Sequence, residues 1–373
     1  MLVVLALAGA TVALSAAPSQ AATPLPVKTS SGTNHDTPDP GTLLYNGNFY
    51  TFSTGTGLQE STSAIAAGPW STPANTLDMS TIPSWVDKSK AMWAPDMIRT
   101  TSGTFVVYFA AALAGVSGSA GSDASPAGGA RCIGTAESSS PMGPFTMNAA
   151  PLTCFSQYAP GDAMTADPAN RVKGEGVIDP SPTFLTISGS QELFLVYKTQ
   201  GDPGSGQVVT IRMVRLSDSD GTTVLGDSHQ LLFSSTGSFA DTIEAPSLIQ
   251  NGSWFVLFVA HGNFDTCNYS TEWFKSQHQW AWTNSGGTTL MDASNTGVCG
   301  PGSADVSASE VAGQERIFFH GWVKESGGVI STTPLPSTTT PSEGTNAARV
   351  MYAAVLTFGS DGFTPTVGAF QGQ

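Results

Sequence analysis

Four acidic residues stand at the entrance to strand-like runs: Asp39 in TPDPG (37–41), Asp96 in WAPD (93–96), Asp179 in IDPSP (178–182) and Glu244 in IEAPSL (243–248). Each lies within two residues of a proline. Burying a carboxyl costs solvation, and carboxyls grouped together raise one another's proton affinity, so such a grouping calls for a use. One carboxyl that gives a proton and one that activates water are what hydrolysis of a glycosidic bond requires. A third can orient the acid or keep it protonated. A single Asp beside Pro and Gly is ordinarily a turn residue bonded to backbone. Asp39, Asp179 and Glu244 at matching points of successive units weigh for chemistry instead.

The elements that must position these residues form a repeat. Five stretches share one plan: a polar or acidic start, a short strand, a glycine turn and an aromatic-rich strand. The turn glycines are Gly47, Gly103, Gly189, Gly252 and Gly313. Behind each hairpin there is room for two more strands, with third strands predicted at 131–136, 208–216, 279–283 and 349–358. AAGPW (66–70) and PMGPF (141–145) echo each other at the close of a third strand. Five four-stranded units predict an all-β, five-bladed β-propeller. In that architecture the first strand of every blade lines the central channel, so acidic strand starts converge on one pocket. Phe49, Phe109, Phe194 and Phe255 on the second strands are expected to pack between blades.

Composition bounds the rest. Charged residues are only 11%, while Gly (41) and Pro (24) are plentiful, which favours short strands and tight turns. A net charge of −14 opposes nucleic acid and anionic membrane as partners. Residues 1–22 have an apolar centre and a small-residue end, read as a secretory signal peptide cleaved near Ala21 or Ala22. The expectation is therefore a secreted, extracellular protein with a single propeller over 23–373. The four cysteines fall as two near neighbours, Cys132 with Cys154 and Cys267 with Cys299, predicting two local disulfides, although other pairings are open from sequence alone. Asn251 and Asn268 head sequons. Residues 115–130 and the Ser/Thr/Pro-rich 331–345 read as surface excursions.

These motifs, in this order, resemble glycoside hydrolase family 43, and the likeness extends to ARCIGTAESSSPMGPF (130–145) and FFHGW (318–322). The resemblance implies a five-bladed propeller that cleaves arabinose- and xylose-containing polysaccharides with inversion. It implies Asp39 as general base, Glu244 as general acid and Asp179 as the carboxylate that tunes and orients the acid. Asp96 is given a supporting place in the pocket wall. Trp93 is a candidate sugar platform or blade-packing residue, and His35 and His320 are candidate substrate contacts. Many relatives open the last blade with Gly-Pro-Gly-His, but here residues 300–303 are Gly-Pro-Gly-Ser. That departure argues against a channel calcium ion, with His35, His261 or His320 left to fill the gap, and no cofactor is expected. The expected partner is plant cell-wall arabinan or arabinoxylan. The chain ends soon after its fifth unit, without the added C-terminal domain that β-xylosidases of the family often carry, which leans the reading to arabinan. The alternatives are a non-catalytic carbohydrate-binding propeller, a β-xylosidase, and a retaining fructosidase-like enzyme of the same architecture.

Overall fold

Each of the five turn glycines closes a hairpin in the structure, a computed structural model that describes residues 24–114, 131–154, 176–200, 209–234, 241–285 and 287–372. All five adopt positive φ, from 60° at Gly252 to 95° at Gly103, a conformation that tight hairpin turns need and that glycine enters without steric cost. The signal-peptide reading and the excursion at 115–130 lie outside the described residues.

The hairpins grow into five antiparallel sheets in chain order. Blade I comprises Gly41–Tyr45, Asn48–Ser53, Gln59–Ser63 and Ala74–Asn75; blade II comprises Trp93–Arg99, Phe105–Ala112, Arg131–Ser138 and Thr146–Met147. Blade III is built from Val177–Ile187, Ser190–Gln200, Val209–Leu216 and His229–Ser234. Blade IV follows with Ile243–Asn251, Trp254–His261, Ser270–Ser276 and Thr288–Met291. Blade V holds Cys299–Ala308, Glu315–Ser326, Ala347–Phe358 and Pro365–Phe370, with Val329–Pro334 added to its second strand. The first strands touch in a closed ring, I to II to III to IV to V and back to I. The five-bladed propeller is thus present.

An apolar cluster fills each of the five blade junctions. Phe109 packs between blades I and II, Phe194 and Phe255 between III and IV, and Phe49 against Phe318 of blade V. Alternation along each strand sends successive side chains to opposite faces, so one blade serves two junctions. Residues 24–37 strap blade I to blade V: the Val27 and Thr37 N–H groups donate to the Met351 and Arg349 carbonyls at 3.1 and 2.8 Å. The two predicted disulfides form, Cys132–Cys154 and Cys267–Cys299.

Two elements differ from expectation. The third strand of blade IV is Ser270–Ser276, not 279–283. Trp280 and Trp282 of that predicted strand instead lie in a loop against the apolar cluster of blades III and IV, with the Trp280 ring 5.5 Å from that of Phe194. Within 331–345, the first residues belong to the strand Val329–Pro334, and the rest runs as loop. Among the described residues no helix is long and apolar enough to cross a membrane.

Candidate active site

Strand register shows how the acidic residues reach the axis. Gly41, Asp96, Ser181, Ser247 and Asp305 pair with Phe52, Tyr108, Val196, Phe258 and Phe318, which makes them equivalent positions of the five blades. Two residues earlier stand Asp39, Ala94, Asp179, Ala245 and Ser303, and all five have φ between 43° and 55°. Left-handed backbone is uncommon for a residue with a Cβ, and here it recurs at the same point of every blade. It breaks the strand's alternation, so that side chains on both sides of the kink can address the channel. The four acidic residues are therefore not at one equivalent position. Asp39 and Asp179 sit at the kink, Glu244 one residue before it, and Asp96 and Asp305 two residues after it.

The result is a layered funnel, with Asp39 and Asp179 in its upper wall and Asp96 and Asp305 below. Gly41 completes the lower layer without a side chain, because a Cβ there would fall 2.4 Å from the Pro95 carbonyl.

Asp39 is the most heavily supported carboxylate. Its Oδ2 accepts from Thr54 Oγ1 at 2.7 Å and lies 3.6 Å from Arg349 Nη1. Its own backbone N–H donates to His320 Nδ1 at 3.1 Å. Accepting that hydrogen makes Nδ1 a lone-pair site, and burial lowers the affinity of His320 for a second proton. The 3.3 Å approach of Asp39 Oδ1 to the same nitrogen is then a contact of a neutral ring and not an ion pair. Burial alone would push the Asp39 carboxyl up, but the Arg349 charge, with the bond from Thr54, outweighs it. The group stays far below the usual carboxylate range.

Glu244 is 9% exposed and bound at both oxygens. Lys198 Nζ donates to Oε2 at 2.7 Å and Tyr269 Oη to Oε1 at 2.8 Å. Tyr269 reaches it across Gly302, where a Cβ would sit 2.2 Å from the tyrosine ring. Asp179 Oδ2 accepts from the Ala245 N–H at 2.9 Å, which ties blade III to the strand start that carries Glu244. Burial, and next the charge of Glu244, push the Asp179 carboxyl well above its ordinary range, so it holds a proton readily beside Glu244.

The lower layer behaves differently. Asp305 Oδ2 accepts from the Thr42 N–H at 2.7 Å and Oδ1 from Ser247 Oγ at 3.2 Å. Burial raises its carboxyl to about 6. Asp96, bonded to the Met97 N–H, is raised well above the usual range by burial and by the facing Asp305.

Of the other sequence candidates, Trp93 lies one residue before the kink, level with Glu244, and Arg131 stacks on it with Cζ 3.4 Å from the ring centroid. His320 touches Asp39. His35 does not join the cluster: it faces a separate crevice between blades I and V and contacts Ser31 Oγ at 3.1 Å. Lys198, Tyr269, Arg349, Thr54 and Asp305 were not singled out from sequence. Register gives the signal for two of them, since Thr54 and Lys198 fall two residues past the partners of Gly41 and Ser181, as His320 does past the partner of Asp305. Among the described residues no group of three or more His, Cys, Asp or Glu is arranged to hold a metal ion, and Ser303 supplies no imidazole at the strand start.

The sequence description of glycosyl hydrolases family 43 matches residues 32–363. No curated protein sequence matches the chain. Among solved structures, a thermostable family-43 glycoside hydrolase superposes with a TM-score of 0.65 at 18% identity, covering 93% of this chain and 96% of the other. The Cellvibrio cellulosa α-L-arabinanase complexed with arabinohexaose gives 0.59 at 16% identity, over 90% and 96%. An endo-1,4-β-xylanase from Bacteroides thetaiotaomicron gives 0.59 at 15%, over the same shares. At these identities the structures share the fold, while the match over residues 32–363 carries the assignment: the chain belongs to glycosyl hydrolase family 43 and is a glycoside hydrolase.

Proposed function

We propose that the protein is an exported, inverting glycosidase that cleaves arabinose-containing plant cell-wall polysaccharide, with arabinan as the preferred substrate. The observation that carries the reading is the division of labour between carboxyls of one funnel: Asp39 is kept ionised by Arg349, while Asp179 holds a proton next to Glu244. An ionised Asp39 accepts the proton of a water molecule as that water attacks the anomeric carbon. Glu244 delivers a proton to the departing oxygen on the other side, and the glycosidic C–O bond breaks in the same step. At rest Asp179 holds that proton beside the Lys198-paired Glu244 carboxylate and passes it to Glu244 for the step, and through the Ala245 N–H it holds the Glu244 strand start in place. Lys198 and Tyr269 receive the Glu244 carboxylate that proton donation leaves behind. Trp93, level with Glu244, offers a ring for a sugar face, and Asp96 braces the funnel floor.

Arabinan and xylan are both represented among the structures this fold resembles, an arabinanase with arabinohexaose and a xylanase among them. Two disulfides support export to an oxidising compartment. Sugar release from linear arabinan, branched arabinan, arabinoxylan and aryl glycosides tests the reading, with NMR of the first-formed product. Release from arabinan with inverted anomeric configuration, lost by several orders of magnitude in Glu244→Gln, is the expected result. Retained configuration overturns the single-displacement mechanism. Equal binding of polysaccharide by both proteins without release overturns catalysis in favour of a binding propeller.

A further inference from the structure

The loop between Trp254–His261 and Ser270–Ser276 joins both ends of the funnel chemistry. At one end Tyr269 turns inward to Glu244. At the other, Phe264 lies over Arg349, with the guanidinium carbon 5.2 Å from its ring centroid, and Arg349 Nη1 is 3.6 Å from Asp39 Oδ2. The loop is clamped to blade V. Cys267 is bonded to Cys299, and the Phe264 carbonyl accepts from Trp322 Nε1 at 2.9 Å. The Gly300 position approaches the Thr266 carbonyl so closely that a Cβ would lie 2.7 Å from it. Internal bonds from Thr266 to the Asn263 carbonyl tighten the turn that carries Phe264.

Within this clamp Trp322 and Tyr269 are each 1% exposed, whereas Phe264 is 37% exposed. It is the one aromatic among the exposed large apolar side chains of the described residues. A single exposed apolar residue is ordinary on a surface. A ring carried on a clamped loop, over the cation that pairs with Asp39, is a different case. Its fixed position means that little side-chain entropy is lost when a ligand covers it. The exposed part of the ring is apolar and electron-rich, suited to the C–H-bearing face of a sugar ring.

We propose that Phe264 is a sugar-stacking platform on the glycone side of the scissile bond, beside Arg349 and Asp39. The inference rests on the glycosidase reading and adds the residue that sets substrate affinity on that side. Placement next to Asp39 decides the side, because an inverting base stands across the anomeric carbon from the leaving group, and the acid Glu244 borders the aglycone. A glycone platform works on any substrate with the right glycone, whatever the leaving group.

The test compares wild type, Phe264→Ala and Phe264→Trp on arabinohexaose, xylohexaose and the 4-nitrophenyl glycosides of arabinofuranose and xylopyranose. Calorimetric binding of both hexaoses is measured in a Glu244→Gln background. For Phe264→Ala the expected result on the active substrates is a KM raised ~10-fold on oligosaccharide and aryl glycoside alike, with kcat changed by less than ~3-fold, and binding weakened by a similar factor. Phe264→Trp is expected to stay within ~3-fold of wild type. Unchanged KM and binding in Phe264→Ala, with wild type active, overturn the platform alone. An effect on the hexaose with none on the aryl glycoside overturns the glycone side. A fall in kcat at constant KM shows that the ring merely props Arg349 and also overturns the proposal. Wild type that neither cleaves nor binds any of the four probes overturns the glycosidase reading and the platform together.

Discussion

Lys198 Nζ stands 2.7 Å from Glu244 Oε2, and both side chains are nearly buried, at 4% and 12% exposure. The ammonium comes from the second strand of blade III and the carboxylate from the first strand of blade IV, so the pair crosses a blade junction next to Asp179. Removing one partner of such a pair leaves a buried charge without compensation, at a cost of about 3–5 kcal/mol, whereas removing both costs much less. Lys198→Met is therefore expected to lower the midpoint of denaturant unfolding strongly, and Lys198→Met with Glu244→Gln to recover most of the loss. Equal destabilisation by the single and the double variant would show that the ion pair is not what Lys198 contributes.

Arg349 controls the other carboxylate. The charged and titratable groups facing it are Asp39, Asp36, Glu343 and the neutral His320. Because Asp39 ionises below its ordinary value of 3.8, its ionised form stabilises the fold above that value, and the contribution is lost as pH falls toward the depressed one. Arg349→Met removes the largest influence opposing burial, so the Asp39 carboxyl moves up. The acidic limb of the kcat/KM profile is expected to shift by more than ~1 pH unit to higher pH, with activity reduced at every pH. Arg349→Lys, which keeps the charge but not the guanidinium fork, should shift the limb less. An acidic limb that stays in place in Arg349→Met would remove Asp39 as the group that sets it.

Much of the fold and part of the site could be read from the chain because the repeat is a local pattern. The turn glycines and aromatic second strands recur within a few residues of each other, and the Asp-Pro and Glu-Ala-Pro starts mark where the axis is approached. Lys198 and Arg349 escaped because each acts across a blade junction from a stretch that reads as ordinary strand, and Tyr269 because it reaches over Gly302 from a loop that carries no motif. Asp305 escaped because it follows Gly-Pro-Gly-Ser with no proline directly before it. The strand predicted at 279–283 is a loop because alternating aromatics fit the face of a loop that plugs a junction as well as a strand. The side chain of His35 could not be placed from its distance in sequence to Asp39, because the strap it belongs to carries it into a separate crevice between blades I and V.

Glu60 is a buried carboxyl that the reaction does not use. It lies on the third strand of blade I, paired with Phe52 and Ala74, is 4% exposed, and its Oε1 finds no partner among the described residues. Burial raises its proton affinity, only partly offset by a bond with Thr76, and the group titrates at about 8 instead of 4.5. The sign follows from linkage: between those values the unfolded chain has lost the proton and the folded one keeps it. Stability therefore falls as pH rises through that window, at up to about 1.4 kcal/mol per pH unit. Glu60→Gln keeps a group able to bond Thr76 and removes the ionisation. The variant is expected to match wild type in thermal stability near pH 4 and to exceed it increasingly up to pH 8–9, by at least about 2 kcal/mol at the upper end. Melting curves of both proteins across that range decide the matter. A constant difference at all pH values would mean that Glu60 has the same proton affinity in the folded and the unfolded chain.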